Sequence, residues 1–424
     1  MISSLTPWDK SSHKRSHTTL THRESANIEV AIRAALHIGN SAAALRACGR
    51  FSYYWMAERP GAGLALTNDV HAHTNGTENE IDRAWGDLAL GCLGQVVDPV
   101  DDARDSLERA ARSFERWGER IGLTAARYWL ALLTPTKELS ACVVALATET
   151  NNPYLLGWAK VDYAYGLLYT WQPGPNRSFE DLADEVKRTL DVVDGIIAEH
   201  GFEPLRLGVI DARVKLRLVH SQDAPQLAAD SALASFVEES ERLARGIGSP
   251  WYFLGAMRLA GLVNFRCGRF HECRLAVDEL LEVAIGQDSP LLDDLSVTIK
   301  GILLAACLLH QNGDWSTGRR IVASIAPSTA RHPNAWIEYN APIPALAGYI
   351  REQQIGNALK SDDVYRLATQ CRILLHSLTA GILIEARTGP VRSVSNDGGG
   401  KPAIRSASTS CRHHFPTARY SRVL

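Results

Sequence analysis

Side chains able to do chemistry are plentiful in this chain, but their spacings stop short of complete catalytic patterns. His271-Glu272 begins an H-E-x-x-H arrangement, in which two histidines one helical turn apart hold zinc and the glutamate serves as base. The second histidine belongs at 275, where Leu275 stands, so the metal reading fails. Asp191 and Asp194, and the adjacent Asp293 and Asp294, set carboxylates in pairs that could hold Mg²⁺. Neither pair completes an acidic motif, and solvated helix faces carry such pairs. His13, His17 and His22, and Cys411-Arg412-His413-His414, lie in polar ends without periodicity. His71-Ala72-His73 has no cysteine near it in sequence. The chain contains no G-x-S-x-G elbow and no G-x-x-x-x-G-K-[ST] phosphate loop. These gaps point to a non-catalytic protein with neither cofactor nor metal.

The elements that must position these residues read as helices throughout. Ile28, Ala31, Ile32, Ala35 and Leu36 follow the helical period, and Ala103, Leu107, Ala110 and Phe114 form a second inward stripe. Phe179, Leu182, Ala183, Val186, Leu190, Val193 and Ile197 fall on one face of a third helix. No strand pattern of useful length appears, so the class is all-α. Residues 1–23 and 387–424 lack periodicity and are expected to be disordered, bracketing a helical domain over 24–386. Those ends carry +3 and +6, which leaves the body near −11 within a formal net charge of −2. An acidic body is a poor surface for nucleic acid. No apolar run reaches the roughly 18 residues of a membrane span, and no signal peptide opens the chain. Eight cysteines without a C-x-x-C pair read as small apolar residues in a reducing compartment, so the expected location is cytoplasmic.

Repetition is written in two ways. Pro153, Pro204, Pro250, Pro290 and Pro333 recur at intervals of 40 to 51 residues, each opening a helical stretch, where the amide hydrogen that proline lacks would have no partner. Asn152, Ser249 and Ser289 precede three of them as expected N-caps. Gly268, Phe270 and Cys273 form a turn with Gly261 seven residues upstream. Gly313, Trp315 and Gly318 repeat the layout with Ala306 upstream. Glycine permits a left-handed turn, the aromatic fills the space between two helices, and the small residue permits close approach.

This layout resembles the tetratricopeptide repeat, which implies a right-handed α-solenoid of antiparallel helix pairs. The stretch Glu24–Ile28, Ala31–Leu36, Gly39-Asn40, Ala43–Arg46 and Tyr53-Tyr54-Trp55 is similar to the start of the helical-repeat region in actinobacterial-type LuxR and AfsR regulators and ATPase-fused nucleotide cyclases. The resemblance implies a sensing or protein-interaction region in bacterial signalling or transcriptional regulation, here without the NTPase and DNA-binding parts. Counting back from the turns places Lys160, Tyr163, Arg258, Phe265, Arg266, Lys300 and His310 on the concave face. That face would suit a protein or peptide partner, acidic in character, with no direct nucleic-acid contact and no membrane. The tryptophans of the first helices, Trp158, Trp171 and Trp251, read as core between repeats. The alternative is a metal-dependent all-α enzyme of the terpene-synthase-like type, built on Asp191, Asp194, Asp293 and Asp294.

Overall fold

The computed structural model describes residues 16–74, 79–97, 101–133, 136–171, 178–221, 224–286, 295–329, 342–353 and 361–387. The described residues are helical, with no strand among them. The order is α1 (Ser16–His37), α2 (Ser41–Arg50), α3 (Ser52–Glu58), α4 (Pro60–Ala72), α5 (Glu80–Val97), α6 (Asp101–Trp117) and α7 (Arg120–Leu133). Then come α8 (Lys137–Glu149), α9 (Pro153–Thr170), α10 (Phe179–His200), α11 (Glu203–His220), α12 (Ala224–Ala229) and α13 (Ser231–Ile247). The chain continues through α14 (Pro250–Arg266), α15 (Phe270–Ile285), α16 (Leu295–Gln311) and α17 (Trp315–Ile325). A short 3-10 turn, Ala326–Thr329, precedes α18 (Pro344–Glu352) and α19 (Ser361–Arg387). Residues to Ala380 form one compact unit and Gly381–Leu424 another, of which the end of α19 is described.

Local chemistry explains most boundaries. Pro153, Pro204 and Pro250 sit in the first turns of α9, α11 and α14. The Asn152 side chain accepts from the amides of Tyr154 and Leu155, capping α9 as its residue type suggests. Asn40 caps α2 by accepting from the Ala43 amide. One cap differs from the sequence reading. Ser249 occupies the N-cap of α14 but makes no cap bond; its hydroxyl donates to the Ala57 carbonyl at the end of α3. Helix α1 starts at Ser16, inside the stretch read as disordered, and α2 and α3 are separate helices that meet at Phe51. Ser289, Pro290 and Pro333 lie outside the described residues, as do 1–15 and 388–424.

Helices pack on their sequence neighbours: α5 on α6, α6 on α7, α8 on α9, α9 on α10, α14 on α15 and α16 on α17. A second set of contacts skips one or two elements, linking α5, α7, α9, α11, α14 and α16 in succession. The two sets differ in composition for a physical reason. α6 and α10 are one-faced: Ala103, Leu107, Ala110 and Phe114 are buried along α6, and Leu182, Val186, Leu190 and Val193 along α10. α9 and α14 are apolar nearly all round and are buried on several sides. A third kind of contact spans the sequence, bringing α3 against α14 and α5 against α16.

Small residues set the closest approaches. Cys273 is fully buried, and a Cβ on Gly261 would stand 3.2 Å from Val277 and 3.3 Å from Leu304. A Cβ on Gly318 would lie 2.9 Å from the Ala306 carbonyl oxygen. Gly268 and Gly313 have φ of 73° and 90°, the left-handed conformation their turns require. The aromatics at these turns do not plug a gap. Phe270 is 38% exposed with its ring against Phe265, and Trp315 is 61% exposed and stacked on His310.

The tightest contact of this kind joins α2 to α5. A methyl at Gly49 would lie 2.3 Å from the Trp85 carbonyl oxygen, a backbone atom that cannot swing aside. Gly49→Ala should therefore lower the thermal midpoint, at a cost of about 1–3 kcal/mol despite the better helix former. A melt followed by circular dichroism checks this, and an unchanged midpoint would contradict the α2–α5 packing.

Candidate functional site

The helices of this second set, with α3, line a partly open cavity of about 330 Å³. That volume lies at the lower end of the roughly 300–1,000 Å³ range of small-ligand pockets. Its walls are aromatic: Tyr128 and Trp129 from α7, Trp158, Tyr165 and Tyr169 from α9, and Trp251 from α14. α3 adds Tyr53 and α14 adds Tyr252, whose hydroxyls lie 2.7 Å apart across 199 residues of sequence. Burial raises the pKa of both phenols well above the ordinary value, so each keeps its proton and one donates to the other. The Tyr53 ring also meets Tyr154 edge-on, with centroids 6.0 Å apart. With the Ser249 bond to the Ala57 carbonyl, these contacts tie α3 to α9 and α14 along one side of the cavity.

A buried charge cluster forms another part of the lining. Asp211 on α11 receives the Arg258 guanidinium of α14 at 2.5 Å and the Lys215 ammonium at 2.8 Å. Burial alone would raise the Asp211 pKa, but Lys215 and Arg258 together hold it well below the usual carboxylate range. The Lys215 ammonium also lies 3.8 Å from the centre of the Tyr165 ring and 4.9 Å from that of Tyr169. It thus fills an aromatic cage as well as pairing with the carboxylate. Tyr165 in turn donates to the Gly208 carbonyl at 3.2 Å.

Asp162 on α9 has a different environment. It is 3% exposed, and its Oδ2 has no hydrogen-bond partner. Burial pushes its pKa up to about 7, with Lys215 pulling the other way. Trp129 Nε1 and Gln95 Nε2 are buried donors that likewise lack a partner. All three residues line the cavity. A buried polar group left unsatisfied costs about 1–3 kcal/mol, so the lining retains unmet hydrogen-bonding capacity.

The concave-face residues inferred from the turn spacing are scattered. Arg258 and Lys300 line the cavity, Arg258 as a buried ion-pair partner rather than an open cation. Tyr163 instead donates to Glu185 of α10 at 2.5 Å. Phe265 is buried beside Phe270, and His310 stacks on Trp315. Lys160 and Arg266 are half-buried in α9 and α14 and do not appear in the cavity lining. Trp158 and Trp251 line the cavity, whereas Trp171 packs on Phe179. Of the paired carboxylates, Asp194 bonds Arg213 of α11 and Asp191 is largely exposed, while Asp293 and Asp294 lie outside the described residues. His271 and Glu272 are exposed on α15.

Sequence reasoning passed over Asp162, Asp211 and Lys215. A partial signal was present: Asp162 is the one acidic residue of the largely apolar α9, and Asp211 and Lys215 stand one turn apart on α11. Arg206, Arg213 and Arg217 share α11 with them and stay partly exposed, so the α11 pattern alone does not show which of its charges are buried. The chain matches no protein-family model and no curated protein.

The Asp162 environment gives a pH test. Its folded-state pKa, about 7, lies above the ordinary 3.8, so the folded protein holds this proton more tightly than the unfolded chain. The resulting stability is fully present below about pH 4 and is lost as pH rises through about 7. Asp162→Asn cannot ionise and escapes that loss. Its thermal midpoint relative to wild type should rise between about pH 4 and pH 8, by an amount equivalent to a few kcal/mol at most. A pH-independent difference would rule out this account.

Proposed function

We propose that this chain is a non-catalytic, ligand-sensing helical-repeat protein that binds a small molecule in its central cavity. In this reading the helices form a tetratricopeptide-like right-handed solenoid of antiparallel pairs. The first helix of each pair faces inward, and α3 meets α14 where the array comes round. The carrying observation is the lining itself, aromatic in its walls yet containing buried polar atoms of Gln95, Trp129 and Asp162 that no protein group satisfies. Cores avoid such atoms because each is costly, whereas a binding pocket reserves a few of them to fix a ligand's orientation. The resemblance to the repeat regions of LuxR- and AfsR-type regulators supports a signalling role in which occupancy alters how the array presents itself to a protein partner.

Gly255 provides a clean test. It lines the cavity from α14, and a Cβ built on it would meet nothing within 4 Å. Gly255→Leu should fill part of the cavity while relieving a glycine in a helix interior, a gain of about 0.5–1 kcal/mol. The variant should therefore melt no lower than wild type. In a thermal-shift screen of a small-molecule library, compounds that stabilise wild type should lose their effect on the variant; saturating ligand is worth about 2.7 kcal/mol at a hundredfold excess over Kd. Ligands that stabilise both proteins equally, or a library that stabilises neither, would overturn the reading.

A further inference from the structure

We propose that the cavity is selective for an aromatic carboxylate: a planar ring system bearing one anionic oxygen group. This rests on the ligand-sensing reading above and specifies its chemistry. Four features of the lining converge on it.

The walls are faces and edges of Tyr128, Trp129, Trp158 and Trp251, which favour a flat, polarisable body. The unsatisfied Trp129 Nε1 and Gln95 Nε2 are donors, and an indole nitrogen can only donate. A ligand that satisfies them must bring acceptors. The charge balance has the same sense, since Lys215, Arg258 and Lys300 line the cavity against Asp162 and Asp211. Asp162, buried and without a partner on Oδ2, can donate to a carboxylate whenever it carries its proton.

Competing ligand classes fit less well. A cation would need an aromatic cage or an unpaired carboxylate. The cage of Tyr165 and Tyr169 already holds the Lys215 ammonium, and Asp211 already has two cationic partners. A neutral aromatic would fill the walls but return a weaker acceptor to the two donors. Hydrogen bonds to charged groups contribute about 1.5–3 kcal/mol, against about 1 for neutral pairs.

Three isosteric probes separate these cases: 2-naphthoate, 2-naphthamide and 2-naphthylmethylamine, titrated by calorimetry into the full chain. The carboxylate should bind at least about tenfold more tightly than the amide, and the amine should show no heat of binding. Trp129→Phe keeps an aromatic wall and removes the donor, and should weaken 2-naphthoate about tenfold while changing the amide less. Gly255→Leu should abolish binding of the carboxylate. Equal or tighter binding of the amide or amine in wild type, lost in Gly255→Leu, overturns the anion selectivity and leaves the cavity reading standing. Carboxylate binding that survives Gly255→Leu lies elsewhere on the protein and overturns both. Binding of none of the three probes overturns the aromatic-carboxylate assignment, and the library screen on the same variant decides the cavity reading separately.

Discussion

The Asp211 carboxylate is the point on which the interior of this protein depends. A carboxylate taken out of water is tolerated only with compensating charge and hydrogen bonds. Here Arg258 reaches it from the next cavity-lining helix and Lys215 from one turn along its own. That requirement fixes the rotation and height of α14 relative to α11, because a guanidinium cannot be left unpaired in the same place. It also brings the Lys215 ammonium over the Tyr165 and Tyr169 rings of α9. Three successive lining helices are thereby held in register by one buried charge.

Around that point the architecture follows from what each helix must cover. α9 and α14 are apolar on nearly every side and have to be enclosed, whereas α6 and α10 have one apolar face and can back them. Enclosing several apolar helices side by side leaves an interior that their larger residues do not fill. The contact of α3 with α14, through Tyr53, Tyr252 and Ser249, bounds one side of that interior, which stays partly open to solvent. Burial changes the chemistry available to Asp211, Lys215 and Arg258, since hydrogen bonds and ion pairs strengthen where water is excluded.

The cysteines illustrate how ordinary packing differs from this. Cys48, Cys92, Cys267, Cys273, Cys307 and Cys371 are buried, and burial pushes the thiols of Cys48, Cys307 and Cys371 up to about 12. They are protonated, apolar fillers at helix contacts, with Cys142 exposed on α8. Asp162, equally buried, is a group whose burial is uncompensated by a hydrogen bond on one oxygen, and packing gives no reason for it.

Sequence alone determined the helical class, the one-faced stripes of α6 and α10, the proline-marked starts of α9, α11 and α14, and the close approach at Cys273 and Gly318. These are local: they depend on the 3.6-residue period, a missing amide hydrogen and the size of a side chain, all readable within a few turns. The same local counting put Lys160, Tyr163 and His310 in a groove with Arg258 and Lys300, and only the last two line the cavity. Which face of an all-apolar helix looks inward is not set by its own pattern, because an apolar residue stands at nearly every angle. That choice, the partners of Asp211 and the bond between Tyr53 and Tyr252 depend on groups up to 199 residues apart. Ser249 shows the divide at a single residue. Its type and position mark a helix cap, yet its hydroxyl bonds the end of α3, because only the tertiary structure brings the Ala57 carbonyl within reach.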